Sequence, residues 1–146
     1  MKNLFTSFNN IKIALISDEL TSLALSGDSV KVFQVRDKHW FQLFKIFKPD
    51  FILVESVWRG YKEAWRYKVA SYTDYPERHN DDLQRLLEMA DKYNVPAVFW
   101  NKEDGAHFNR FINTASLFKY ILTVDSNCVE RYQAILGDKV KVGVLP

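Results

Sequence analysis

Cys128 is the only cysteine in the chain, so an internal disulfide is excluded and a packed core must hold the fold. Glycine and proline are also scarce, at five and four in 146 residues. The glycines are scattered. No GxGxxG follows the first apolar run and no GxxxxGK[ST] occurs anywhere, so a phosphate-cradling loop is missing. There is no Gly-x-Ser-x-Gly elbow, and Cys128 has no evident partner, which argues against nucleophilic catalysis. No apolar run approaches the roughly 18 residues of a membrane span. Met1 to Asn10 lacks a signal-peptide apolar core. The expectation is a cytoplasmic protein. A formal net charge of +2 is too small to imply a nucleic-acid partner.

What is present is the composition of one globular domain, 47% hydrophobic and 26% charged, long enough to bury a core. Aromatic residues reach 15%, more than packing alone needs, and Trp58 and Trp65 sit in a polar stretch. Apolar runs alternate with amphipathic ones. Ile11–Ile16 reads as a strand ending in Ser17-Asp18-Glu19, and Ser29–Val35 as a second strand. His39–Phe47 has helical spacing at Trp40, Leu43, Phe44 and Phe47, and Lys48-Pro49-Asp50 stops it. Phe51–Val54 is a short buried strand ending at Glu55. Residues 81–94 form the clearest helix, with Leu83, Leu86, Leu87, Ala90 and Tyr93 on one stripe. A strand at Val95–Trp100 follows, then a helix from about Gly105 to Phe118, then a strand at Tyr120–Val124. Asn127-Cys128-Val129-Glu130 resembles a capping box opening another helix, and Lys139–Val144 is a last strand. The order β-β-α-β-insert-α-β-α-β-α-β predicts an α/β, Rossmann-like fold. It has a mostly parallel sheet of about six strands with helices on both faces. The insert, Ser56–Asn80, is longer than an ordinary strand-to-helix link and is rich in Trp, Tyr, Arg and Lys. Its first half has helical spacing at Tyr61, Ala64, Trp65 and Val69.

In a parallel sheet the carboxyl ends of the strands share one rim, where ligands bind. Here that rim collects Ser17-Asp18-Glu19, Glu55-Ser56, Asn101-Lys102-Glu103-Asp104 and Asp125-Ser126, with Arg59 and His107 nearby. The opposite ends carry ordinary turn residues. Helix caps also use Asp and Ser, and Asp104 and Asp125 fit that role as well as a chemical one. Glu55 ends a buried strand without opening a helix, so capping does not account for it. His107 follows Asp104 by three residues, so both can face one way at a helix start, where neutral imidazole can act as a base. Glu103, Asp104 and His107 could also hold a metal, but no further His or Cys clusters with them. The basic-aromatic insert suits a sugar ligand, with flat faces for rings and forked donors for hydroxyls or phosphate.

Three blocks carry a family resemblance: Glu55-Ser56-Val57-Trp58-Arg59-Gly60, Trp100-Asn101-Lys102-Glu103-Asp104 with His107-Phe108, and Asp125 with Glu130-Arg131-Tyr132. Together they resemble the amino-terminal half of CgeB-like group 1 glycosyltransferases, of the spore-maturation and cell-surface-glycan type. The likeness spans residues 11–146, and its one departure is Gly105, where the family pattern has proline. It implies one half of a two-domain GT-B enzyme with the active site in the cleft between halves. The partners implied are a glycan or other hydroxyl acceptor and the enzyme's own carboxy-terminal domain, which binds the nucleotide-sugar donor. No cofactor is implied for this half. Under this resemblance Asp18, Glu19, Glu55, Trp58, Arg59, Asn101, Lys102 and Asp125 bind the acceptor. Glu103, Asp104 and His107 lie nearest the transferred sugar, with the base not distinguished among them. A non-catalytic glycan- or polyanion-binding module is the alternative. A phosphate-accepting receiver is a third, disfavoured because Glu55 stands where such a domain needs aspartate.

Overall fold

The computed structural model describes residues 10–26, 30–36 and 38–146. They form an α/β domain built on one six-stranded, all-parallel sheet, Rossmann-like in the broad sense. The elements are β1 (Lys12–Ile16), α1 (Glu19–Ser26), β2 (Lys31–Gln34), α2 (Trp40–Gln42), β3 (Phe51–Glu55), α3 (Asp81–Lys92), β4 (Ala97–Asn101), α4 (Phe108–Ala115), β5 (Tyr120–Thr123), α5 (Asn127–Leu136) and β6 (Lys141–Val144). The sheet order is β2-β1-β3-β4-β5-β6. The chain leaves β1 toward β2 and makes every later crossover in the other direction. The reversal places a switch point between β1 and β3, the crevice where such sheets bind ligands.

That single reversal also makes the two faces unequal. Right-handed crossovers put α1 on one face and the later helices on the other. Burial follows the strand alternation. Ala14, Ile16, Ile52, Val54, Phe99 and Ile121 join the main core with Leu83, Leu86, Phe111 and Tyr132. On the α1 face Leu53, Val98, Trp100 and Leu122 are only half-buried.

The helix α1 is absent from the expected β-β order because its pattern is inverted. It buries Thr21 and Ser22 and exposes Leu20 and Leu23, at 75% and 71%. Its polar face makes hydrogen bonds instead: Ser22 Oγ meets Ser17 Oγ at 3.0 Å and accepts from Gln34 Nε2 at 2.7 Å. The strand expected from Ser29 begins at Lys31, and Ser29 lies outside the described residues. Helix α2 passes into a π-helical turn at Leu43–Phe47, closed by Lys48 N–H donating to Leu43 O at 2.9 Å. Asn94, at φ 55°, ends α3 in the left-handed region.

The insert is not helical. It holds one 3₁₀ turn at Tyr61–Glu63, with positive φ at Lys62, Glu63 and Tyr67. Its helical spacing reflects burial of side chains from an irregular loop. Trp65 is 1% exposed and donates Nε1–H to Val35 O at 2.7 Å. Val69 and Ala70 are buried, and Thr114 Oγ1 donates to Val69 O at 2.5 Å. The insert is thus the lid of the core on the side of α4. Trp65→Phe removes both ring volume and the partner of a buried carbonyl, and should cost about 2–4 kcal/mol in urea unfolding. A loss below about 0.5 kcal/mol would show that Trp65 does not anchor the insert.

Candidate functional site

The rim divides into two linked clusters. The first sits at the switch point. Glu55, the last residue of β3, is fully buried. One carboxylate oxygen accepts Asp18 N–H at 3.1 Å. The other accepts Thr21 Oγ1–H at 3.2 Å and pairs with the Lys102 ammonium. Lys102 also donates to Thr21 Oγ1 at 3.1 Å, and its own backbone N–H donates to Ser56 Oγ at 2.8 Å. One carboxylate therefore ties together the exit of β1, the first turn of α1 and the loop after β4. A carboxylate this enclosed is poorly placed to take a phosphoryl group, which removes structural support for the receiver reading.

Asp18 stands at the open edge of this cluster. Burial of its carboxyl raises its pKa, Lys102 opposes the shift, and Glu103 adds to it. Glu103 thus lies within electrostatic reach of Asp18. It also reaches His107, with Oε2 3.8 Å from Nε2. The imidazole is edge-on to the Trp58 ring, centroids 5.4 Å apart. Trp58 packs against Phe111 in turn, and the Arg110 guanidinium lies 5.0 Å from its ring. Asp18, Lys102, Glu103, His107 and Trp58 make one continuous strip.

The second cluster lies between β4, β5 and α5. Asn101 is buried, and its Nδ2 donates to Asp104 Oδ1 and to Tyr132 Oη, both at 2.8 Å. Its Oδ1 accepts Glu103 N–H at 3.1 Å, the Asx-type bond that sets the loop. Tyr132 is fully buried and directs its hydroxyl at the Asp104 carboxylate, 2.8 and 2.9 Å from the two oxygens. Burial pushes both groups up, the Asp104 carboxyl against hydrogen bonds from Thr123 and Tyr132, and the Tyr132 phenol far above its ordinary value.

Several expected roles change. Residues 102–106 form turns, and α4 begins at Phe108 rather than about Gly105. Asp104 therefore caps no helix and is turned into the Tyr132 network, away from Glu103 and His107. Gly105 has φ +89°, which proline cannot adopt, and a Cβ there would lie 3.3 Å from Asp125 Oδ2. The departure from the family pattern is thus a difference in loop path. Asp125 is a cap: its Oδ1 accepts Asn127 N–H at 2.9 Å and Asn127 Nδ2–H at 3.0 Å. The capping box expected from Asn127 is replaced by this arrangement. Arg59 is exposed and bound to Glu63 at 3.2 Å, and Glu19 is exposed on the first turn of α1.

Thr21 and Tyr132 are the residues that the pattern did not single out. A tyrosine within the apolar stripe of α5 was the available signal, since a buried hydroxyl needs a partner. Nothing in the sequence pattern marked Thr21.

Comparison with protein-family models, curated proteins and solved structures returns no match. The meaning of the strip therefore rests on its geometry. Five depressions of about 160–570 Å³ mark the surface, and none is lined by Glu103, Asp104 or His107. The strip is an open wall. Among the described residues, no group of three or more His, Cys, Asp or Glu side chains is arranged to hold a metal ion. No described helix is long and apolar enough to cross a membrane.

Two expectations test this geometry. Lys102→Met leaves Glu55 buried without its cation and should destabilise by about 2–4 kcal/mol, the low end for a buried pair because Lys102 is partly solvated. Adding Glu55→Gln should restore most of that loss in urea titrations. No recovery in the double variant would contradict the pairing. The second expectation concerns Asp104. At about pH 4 the carboxyl is largely neutral in the unfolded chain. Because its native pKa is raised, the native state comes to bear a buried charge as pH climbs, and stability falls. Asp104→Asn should therefore gain on the wild type between pH 4 and pH 7. A difference independent of pH would refute the assignment.

Proposed function

We propose that this domain is the acceptor-side wall of a sugar-transfer cleft. In this reading it belongs to a glycosyltransferase that moves a sugar from a nucleotide-sugar to a glycan or other hydroxyl acceptor. The observation carrying the reading is the open strip at the carboxyl rim, where Asp18, Glu103 and His107 stand beside the β1/β3 switch point. Two further features support it. The chain has no phosphate-binding loop, as expected of a half that leaves the donor to another domain. The strip also lacks an opposing wall of its own.

Within this reading the base is narrowed to Glu103 and His107. Asp104 already accepts hydrogen bonds from Tyr132 and Asn101, so it serves as a positioning residue for the loop. In an inverting transfer the acceptor oxygen forms a bond to the anomeric carbon. Its proton passes to the Glu103 carboxylate or the His107 imidazole, and the nucleoside diphosphate departs with the electron pair of the broken bond. The 3.8 Å separation lets either group orient the other. Lys102 holds the loop through Glu55 and Ser56 and has no role in proton transfer.

The test uses a transferase that contains this domain. Glu103→Gln or His107→Ala should lower kcat by about 10²-fold or more, whereas Asp104→Asn should lower it by less than about tenfold. Undiminished turnover in both Glu103→Gln and His107→Ala would overturn the catalytic reading and favour a binding module. Residues 1–146 alone should give no transfer.

A further inference from the structure

A second ligand site lies away from the rim, between the insert and α4, and stands independently of the sugar-transfer reading. A depression of about 220 Å³ is lined by Val69–Thr73, Arg78–Asn80 and Asn113. At its edge the Arg78 guanidinium is clamped between aromatic rings, 3.8 Å from the centroid of Tyr67 and 3.9 Å from that of Tyr75, with Tyr72 at 5.2 Å. A guanidinium held by its faces keeps its donors available around its edge, the geometry that grips a planar or tetrahedral oxyanion with two parallel bonds. A second guanidinium, Arg110, packs on the other part of the same cluster, 4.9 Å from Tyr72, and is fixed by Nε–H donating to Ser71 O at 2.7 Å.

The charges around the depression do not balance. Lys68 and Arg85 share Asp82, and Arg59 and Arg66 share Glu63. Arg78 reaches only the exposed Glu77, at 3.9 Å, and among the described residues Arg110 has no carboxylate within ion-pair distance. Two fixed cations thus flank Tyr72 without a close counter-charge. The surrounding groups Ser71, Tyr72, Thr73, Asn80 and Asn113 add hydroxyl and amide donors. The volume is below that of an ordinary drug-sized pocket, so it fits a single oxyanion and a small carrier rather than a nucleotide.

We infer that this depression binds a compact tetrahedral oxyanion, such as the phosphate of a small monoester, on the fork of Arg78. The insert then has a purpose beyond covering the core. Its tyrosines hold an arginine ready for an anion, and the rim stays free for a different ligand.

The test is titration of the isotope-labelled chain with inorganic phosphate at constant ionic strength, followed by amide and side-chain chemical shifts, with acetate as a parallel arm. Phosphate should give saturable shifts centred on Ser71, Thr73, Asn80 and Asn113. Acetate should bind more weakly. Arg78→Lys keeps the charge but loses the fork and should weaken phosphate about tenfold or more. Arg85→Gln, which removes a nearby exposed cation, should leave affinity unchanged. If Arg78 variants do not fold, Arg110→Gln should still weaken binding several-fold. Unsaturable or dispersed shifts in the wild type would overturn the proposal. Equal loss in Arg85→Gln and Arg78→Lys would also overturn it, as would acetate binding as tightly as phosphate.

Discussion

The buried carboxylate of Glu55 is the constraint on which the upper edge of this domain depends. Three segments that are distant in sequence end at it: the turn after β1, the start of α1 and the loop after β4. Burying one charge demands a partner and satisfied lone pairs, and Lys102, Thr21 and the Asp18 amide supply them. The consequence is positional. Lys102 is pulled toward the switch point, so the residues after it, Glu103 and Asp104, must diverge. Glu103 goes to the open rim beside Asp18 and His107, and Asp104 goes inward to Tyr132.

Much of the fold was legible because the sheet is parallel and buried. Runs such as Phe51–Val54 and Tyr120–Val124 have few residues that suit any other environment, and α3 has an unbroken apolar stripe. What failed did so for physical reasons. Helix α1 turns Thr21 and Ser22 inward because the sheet there offers Ser17, Gln34 and Glu55 as partners, so its burial is polar and leaves no apolar stripe to read. In the insert, buried Trp65, Val69 and Ala70 are spaced as on a helix. The three positive-φ residues that shape the loop are Lys62, Glu63 and Tyr67, types that carry no turn signal.

The candidate site was legible as a neighbourhood and not as an arrangement. Strand direction alone brings Asp18, Glu55, Asn101 to Asp104 and Asp125 to one edge. Which carboxylates are free depends on contacts that sequence spacing does not encode. Glu55 is enclosed by a lysine from another strand's loop, Asp104 by a tyrosine from α5, and Asp125 by the backbone it caps. Asp18 and Glu103 are left, with His107 held against Trp58. Those are the groups a ligand on the rim can reach.

The central claim is that this strip meets a neutral, hydroxyl-rich ligand. The most direct measurement is chemical-shift mapping of the labelled chain with a panel of neutral saccharides. The account predicts saturable shifts at Asp18, Trp58, Lys102, Glu103 and His107 for at least one saccharide, with Asp104 and Tyr132 moving less. Perturbation confined to other surfaces, or none along the strip for any saccharide, would contradict it.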